Sequence, residues 1–182
     1  MDKSIDGAIQ FAAVKHRGQV RKATDLPYIS HPFAVAMMLQ EAGHPKEVIM
    51  AGVLHDTLED TSATEEEIRA LFGEEVLALV ISASEPDKSL PWEDRKRHTL
   101  SELAFRSDKE LAVIIADKLH NLRSIRLDVE AHGEGVWARF NRGKDQQSWY
   151  YNGIINAVVN RREQLPLIEE LEYEVAAVFS GK

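Results

Sequence analysis

Apolar residues recur every three to four positions along nearly the whole chain, and no stretch alternates over the four to eight residues expected of a half-buried strand. This spacing predicts an all-α fold. A first helix over residues 4–16 turns Ile5, Ala8, Ile9 and Ala12 to one side, and Gly18 closes it. After a loop over 19–30, Pro32 suits the first turn of a second helix, which carries Val35, Met38 and Leu39 inward and stops at Gly43. A third helix over 45–60 is apolar until it reaches His55, which predicts the buried centre of a bundle. Thr64 and Glu67 have the form of a capping box, opening a short helix that Gly73 ends. Further helices are predicted over 74–83, 92–105, 109–127, 145–162 and 167–179. The Gly-containing stretch 130–143 is the longest irregular segment and a candidate active-site loop.

The polar interruptions of this pattern carry the chemistry. In the run His55-Asp56-Thr57-Leu58-Glu59-Asp60, a continuous helix pairs His55 with Glu59 and Asp56 with Asp60. Neighbours on a helix are rotated by about 100°, so His55 and Asp56 can share one ion only over the seam between their faces. Other ligands must then come from other helices. His31 opens the second helix, and Asp117 follows the apolar run Leu111-Ala112-Val113-Ile114-Ile115-Ala116. A partly buried carboxylate there is costly without a counter-charge, which a metal, Lys118 or Arg123 can supply. His31 before proline also reads as a helix cap. Glu59 and Asp60 also read as solvated charges at a helix end, although acids there oppose the helix dipole. His16 reads as a helix-end residue, His44 as a turn residue, and His98 and His120 as packed or surface residues.

Composition narrows the options. The 182 residues suffice for one domain, 1–182, and 44% hydrophobic with 29% charged residues describes an ordinary globular chain. No apolar run approaches the ~18 residues that span a bilayer, and the N-terminus lacks the apolar core of a signal peptide, so a cytoplasmic protein with no membrane partner is expected. Cysteine is absent, which excludes disulfides, thiolate zinc sites and cysteine nucleophiles. A metal would be held by imidazole and carboxylate, which suits a first-row divalent ion such as manganese, iron or zinc. The net charge of -8 opposes binding to duplex nucleic acid. Lys15, Arg17, Arg21 and Lys22 nevertheless fall within eight residues, a local basic patch for a small anion.

Four segments together resemble the hydrolase domain of the RelA/SpoT alarmone enzymes, particularly the small stand-alone alarmone hydrolases. They are Ala12-Ala13-Val14-Lys15-His16-Arg17-Gly18-Gln19 with Arg21-Lys22; Pro27-Tyr28-Ile29-Ser30-His31-Pro32; the run from His55 to Thr61; and Ala116-Asp117-Lys118-Leu119-His120-Asn121-Leu122-Arg123. They stand in the family's order and at its spacings, over about residues 5–160. The resemblance implies an all-helical HD-domain bundle that removes pyrophosphate from the 3′ position of guanosine tetra- or pentaphosphate. One divalent cation, usually Mn2+, would be held by His31, His55, Asp56 and Asp117. Glu59 and Asp60 match the pair that orients or deprotonates the attacking water. Arg21 and Lys22 match residues lining the nucleotide, and Asn121 and Ser124 match positions near ribose and base. Arg142 and Lys144 fall in a region, with Trp137, that resembles a phosphate-contacting segment of the small hydrolases. Asp25 lies where relatives often have a less acidic, Gly-containing stretch, which bears on base preference.

Without the synthetase and regulatory domains of the long relatives, the chain is expected to degrade the alarmone and not to make it. The rival readings share the metal site: an HD phosphohydrolase acting on an adenosine alarmone, a nucleoside monophosphate or the 2′-phosphate of NADPH. A rival of another class is a module that binds the alarmone without hydrolysing it, which the intact metal and water-activating positions disfavour. The sequence leaves base preference, the number of 5′ phosphates, metal identity, regulation and oligomeric state open.

Overall fold

The computed structural model describes residues 4–22, 24–85 and 89–180, and its regular elements are helices, as the periodicity predicted. Val20 and Pro27 form an isolated bridge within the loop over 19–30. The chain divides into two compact units: Met1–Pro86 with Lys109–Asp117, and Asp87–Asp108 with Lys118–Lys182. No helix among the described residues is long and apolar enough to cross a membrane.

The first unit is built around α3 (Lys46–Leu54), whose residues from Val48 to Leu54 are all buried. It packs against α1 (Ile5–Lys15), α2 (Ser30–Glu41) and α6 (Glu74–Ala83). Ser4 caps α1 by accepting from the Gly7 amide, and Phe11, not Ile9, completes the buried face with Ala8 and Ala12. On α2, Val35, Met38 and Leu39 are buried as their spacing predicted. The two helices approach closely at Gly52, where a Cβ would lie 2.6 Å from Leu39 Cδ1 and 3.4 Å from the Cα of Ala36. The capping box forms at α5 (Glu65–Phe72), with Thr64 and Glu67 bonding reciprocally, and α5 packs on α6.

The continuous third helix expected over 45–60 is not found. The chain leaves α3 at Leu54, and a separate short helix, α4 (Thr57–Asp60), begins after His55 and Asp56. Side chains at the break take up helical carbonyls: the Thr57 hydroxyl donates to Leu54 O at 2.6 Å and His55 Nδ1 lies 2.8 Å from Gly52 O. Such local bonds compete with the helical ladder and end it where no proline or glycine is present.

The second unit contains α7 (Trp92–Leu103), most of α8 (Asp108–His132), α9 (Lys144–Val158) and α10 (Ile168–Phe179). Here α9 packs on both α7 and α10. Helix α8 runs past the predicted end near Leu127, supported by an Arg126–Glu130 pair at 2.9 Å, and stops before Gly133, whose φ is 71°. Residues 133–139 then form a 3₁₀ turn, so the irregular segment expected over 130–143 shrinks to its last few residues.

Candidate metal centre

Three elements of the first unit bring the predicted ligands together. His31 is the second residue of α2, His55 lies in the break after α3, and Asp117 belongs to the part of α8 that packs with this unit. One donor atom from each lies within 4.8 Å of the others, and all three residues are buried. Asp117 Oδ1 is 3.1 Å from His31 Nε2 and 3.6 Å from His55 Nε2. Asp56 adjoins the same nitrogens, its Oδ2 lying 3.5 Å from His31 Nε2 and 3.1 Å from His55 Nε2. Arg123, one alternative partner for Asp117, pairs with Glu170 and Glu174.

These groups fit a divalent ion on their own chemistry. His55 Nε2 is buried without a hydrogen-bond partner, an arrangement that costs free energy unless something else occupies its lone pair. Its Nδ1 faces the Gly52 carbonyl, the type of contact that fixes the tautomer of metal-bound imidazoles. Burial lowers the affinity of His31 for a proton. Burial also works against a charged His55, but the Asp56 and Asp117 carboxylates outweigh it and push that imidazole well above its ordinary value. Asp56 is opposed by burial yet held below the usual carboxylate range, chiefly by His55. Two carboxylates facing two imidazoles, with no thiolate, make a donor set suited to a divalent cation.

The water-activating candidates Glu59 and Asp60 lie on α4, after the break, and the Asp60 amide donates to Asp56 O at 2.9 Å. Glu59 Oε2 accepts from the Glu85 amide at 3.2 Å. Asp60 accepts from Gln19 Nε2 through its backbone oxygen at 2.6 Å. In the loop, the Arg21 amide donates to Leu26 O at 2.8 Å, and its guanidinium lies 5.7 Å from the centre of the Tyr28 ring. Lys22 is exposed.

Two residues of this unit escaped the sequence reading. The Tyr28 hydroxyl donates to Asp56 Oδ2 at 2.7 Å and lies 3.5 Å from Asp60 Oδ2. Burial, and then the Asp56 carboxylate, push its phenol far above the ordinary value, so the hydroxyl keeps its proton. His16 does end α1, as expected, but it is buried with its ring 5.0 Å from that of Tyr28. Tyr28's place three residues before His31 was the available signal.

The remaining candidates belong to the second unit. Asn121 and Ser124 lie on α8, where the Ser124 hydroxyl donates to His120 O at 3.0 Å. Arg142 grips Glu93 with two nitrogens, at 2.5 and 2.9 Å, and Lys144 pairs with Glu134 at 3.0 Å. Both cations proposed for phosphate are therefore matched to carboxylates within their own unit.

Comparison with known proteins adds to this geometry. A family model described as HD domain matches residues 8–146. A zebrafish (Danio rerio) protein named guanosine-3′,5′-bis(diphosphate) 3′-pyrophosphohydrolase MESH1 is 42% identical over 120 residues, which are 64% of this chain and 66% of that one. The GTP pyrophosphokinase of Streptomyces coelicolor is 40% identical over 127 residues, 68% of this chain but 15% of that one. The chain thus spans less than two thirds of either relative's length. The solved structure of a metazoan ortholog of SpoT, described as hydrolysing ppGpp and acting in starvation responses, is 32% identical with a TM-score of 0.74, covering 97% of this chain and 93% of that one.

Proposed function

Because this chain belongs to the HD domain family, we propose that it is a metal-dependent phosphohydrolase that removes pyrophosphate from the 3′ position of guanosine tetra- or pentaphosphate. The products are guanosine 5′-diphosphate or 5′-triphosphate and pyrophosphate. The whole chain, 1–182, is read as a single catalytic domain of this type. The observation that carries the reading is the convergence of two buried imidazoles and a buried carboxylate, one imidazole nitrogen lacking a hydrogen-bond partner. The names of the relatives supply the substrate class.

In this reading His31, His55, Asp56 and Asp117 hold one divalent ion, for which manganese is proposed. Such an ion, when bound, acidifies water and neutralises a phosphoryl oxygen. Glu59 and Asp60 orient the attacking water and receive its proton. The water oxygen bonds to the phosphorus next to the ribose, the bond from that phosphorus to the 3′ oxygen breaks, and the 3′ oxygen ends as a hydroxyl. Arg21 and Lys22 offset the substrate's phosphate charge, and the Arg21 guanidinium can also stack on a base. Asn121 and Ser124 are proposed contacts to ribose and base, and Arg142 and Lys144 to phosphate. The last two would exchange Glu93 and Glu134 for the substrate.

The test is a product assay with manganese against guanosine and adenosine nucleotides carrying a 3′-pyrophosphate, with nucleoside monophosphates and NADPH as competitors. Release of pyrophosphate from the guanosine substrates is expected. Release of orthophosphate from the monophosphates or NADPH, with none of the 3′-pyrophosphates cleaved, would overturn the assignment.

A further inference from the structure

Asp56 is the ligand candidate with the least support from its own backbone. It stands in the N-cap position of α4, yet its side chain makes no capping hydrogen bond. Its Oδ2 is the oxygen that faces both imidazole nitrogens, and the hydroxyl of Tyr28 donates to that same oxygen at 2.7 Å. A carboxylate oxygen has two lone pairs, so one can accept the phenol's hydrogen bond while the other points at a cation.

The Tyr28 ring is held on several sides. His16 lies against it at 5.0 Å with an angle of 31° between the planes, and His31 meets it edge-on at 6.0 Å. His16 is itself fixed, its Nδ1 donating to Gln19 Oε1 at 2.7 Å while Gln19 Nε2 donates to Asp60 O at 2.6 Å. The loop therefore grips the ring from one side and the backbone of α4 from the other. For packing alone a phenylalanine would serve, because the stack on His16, the edge on His31 and the contact with the Arg21 guanidinium all involve the ring. The hydroxyl has a separate task.

We propose that Tyr28 is a positioning residue whose hydroxyl aims the Asp56 carboxylate at the metal, tying the loop that carries Arg21 and Lys22 to the metal centre. The inference rests on the reading of His31, His55, Asp56 and Asp117 as ligands. Groups that orient ligands in this way typically change metal affinity by about 10–100-fold when removed.

The experiment titrates the full-length wild type, Tyr28→Phe, Arg21→Ala and Asp117→Asn with Mn2+, following free Mn2+ by electron paramagnetic resonance, and measures kcat and KM on the same preparations. The expected result is a rise of about tenfold in the Mn2+ dissociation constant for Tyr28→Phe. Its KM at saturating Mn2+ and its melting temperature should stay near those of the wild type. Arg21→Ala should show the reverse split, with KM raised and Mn2+ affinity kept. If Tyr28→Phe binds Mn2+ as tightly as wild type while Asp117→Asn does not bind it, the ligand reading stands and the role of Tyr28 is overturned. If Asp117→Asn binds Mn2+ as well as wild type, the ligand reading falls and this inference falls with it.

Discussion

In the second unit the buried carboxylate of Glu174 is gripped by Arg126 at 2.7 Å and approached by Arg123 at 3.7 Å, and Asp108 is paired with Arg161. In the first unit the buried carboxylate of Asp117, with that of Asp56, meets two imidazoles instead. The difference decides what each carboxylate can do. A guanidinium keeps its charge at any accessible pH, so Glu174 is permanently neutralised and ties α10 to α8. An imidazole is a cation only on condition, and its neutral form is a metal ligand. The carboxylates of the first unit thus share their pocket with groups whose neutral form can ligate a metal, whereas Glu174 faces guanidinium groups that cannot.

The largest test of this contrast is Asp117→Asn, which should lose both bound Mn2+ and turnover, the latter to background. Metal analysis and a pyrophosphate assay on one sample check it, and retention of either would break the comparison at its centre. Next, Glu59→Gln should lower turnover by roughly a hundredfold or more while leaving Mn2+ bound. Loss of metal as complete as in Asp117→Asn would make Glu59 a ligand and not a proton acceptor.

Glu174→Gln should act on stability alone. With Arg126 one third exposed and open to water, the cost is about 1–2 kcal/mol, read as a lower melting temperature with unchanged Mn2+ content. The smallest effect concerns Glu93, whose carboxyl the Arg142 guanidinium holds at about 2. A depressed carboxylate contributes stability above the ordinary value near ~4.3 and loses that contribution as the pH falls towards the depressed one. An NMR titration of the Glu93 carboxyl carbon should therefore find its midpoint near 2, returning to the ordinary range in Arg142→Ala. An ordinary midpoint in the unaltered protein would show that the pair does not form in solution.

The candidate ligands could be picked out because, without cysteine, only imidazole and carboxylate remained. A histidine beside an aspartate is a weak mark until His31 and an aspartate ending an apolar run join it; the fold brings His31, His55 and Asp117 together. The bundle was legible too, since Val35, Met38 and Leu39 fall where a period of 3.6 puts them. What stayed hidden depends on contacts that have no period. The break between α3 and α4 lies in a run of helix-tolerant residues, and it comes from Thr57 and His55 turning back on nearby carbonyls. Tyr28 has no role legible in the sequence because its partner Asp56 is 28 positions away. The extent of α8 was underestimated because the glycines from Gly133 onward suggested a loop, whereas the chain coils there into a 3₁₀ turn.

Gly52 gives this centre a dimension that its ligands do not. It lies three residues before His55, offers its carbonyl to that imidazole, and marks the point where α3 comes against Ala36 and Leu39 of α2, the helix that carries His31. The span between the two imidazoles is thus gauged by a residue with no side chain. A homologue could keep every histidine and aspartate and still grip a different ion, or none, if it carried a bulkier residue here. In judging which relatives remain competent, the spacer between the two helices is worth inspecting alongside the four residues of the motif.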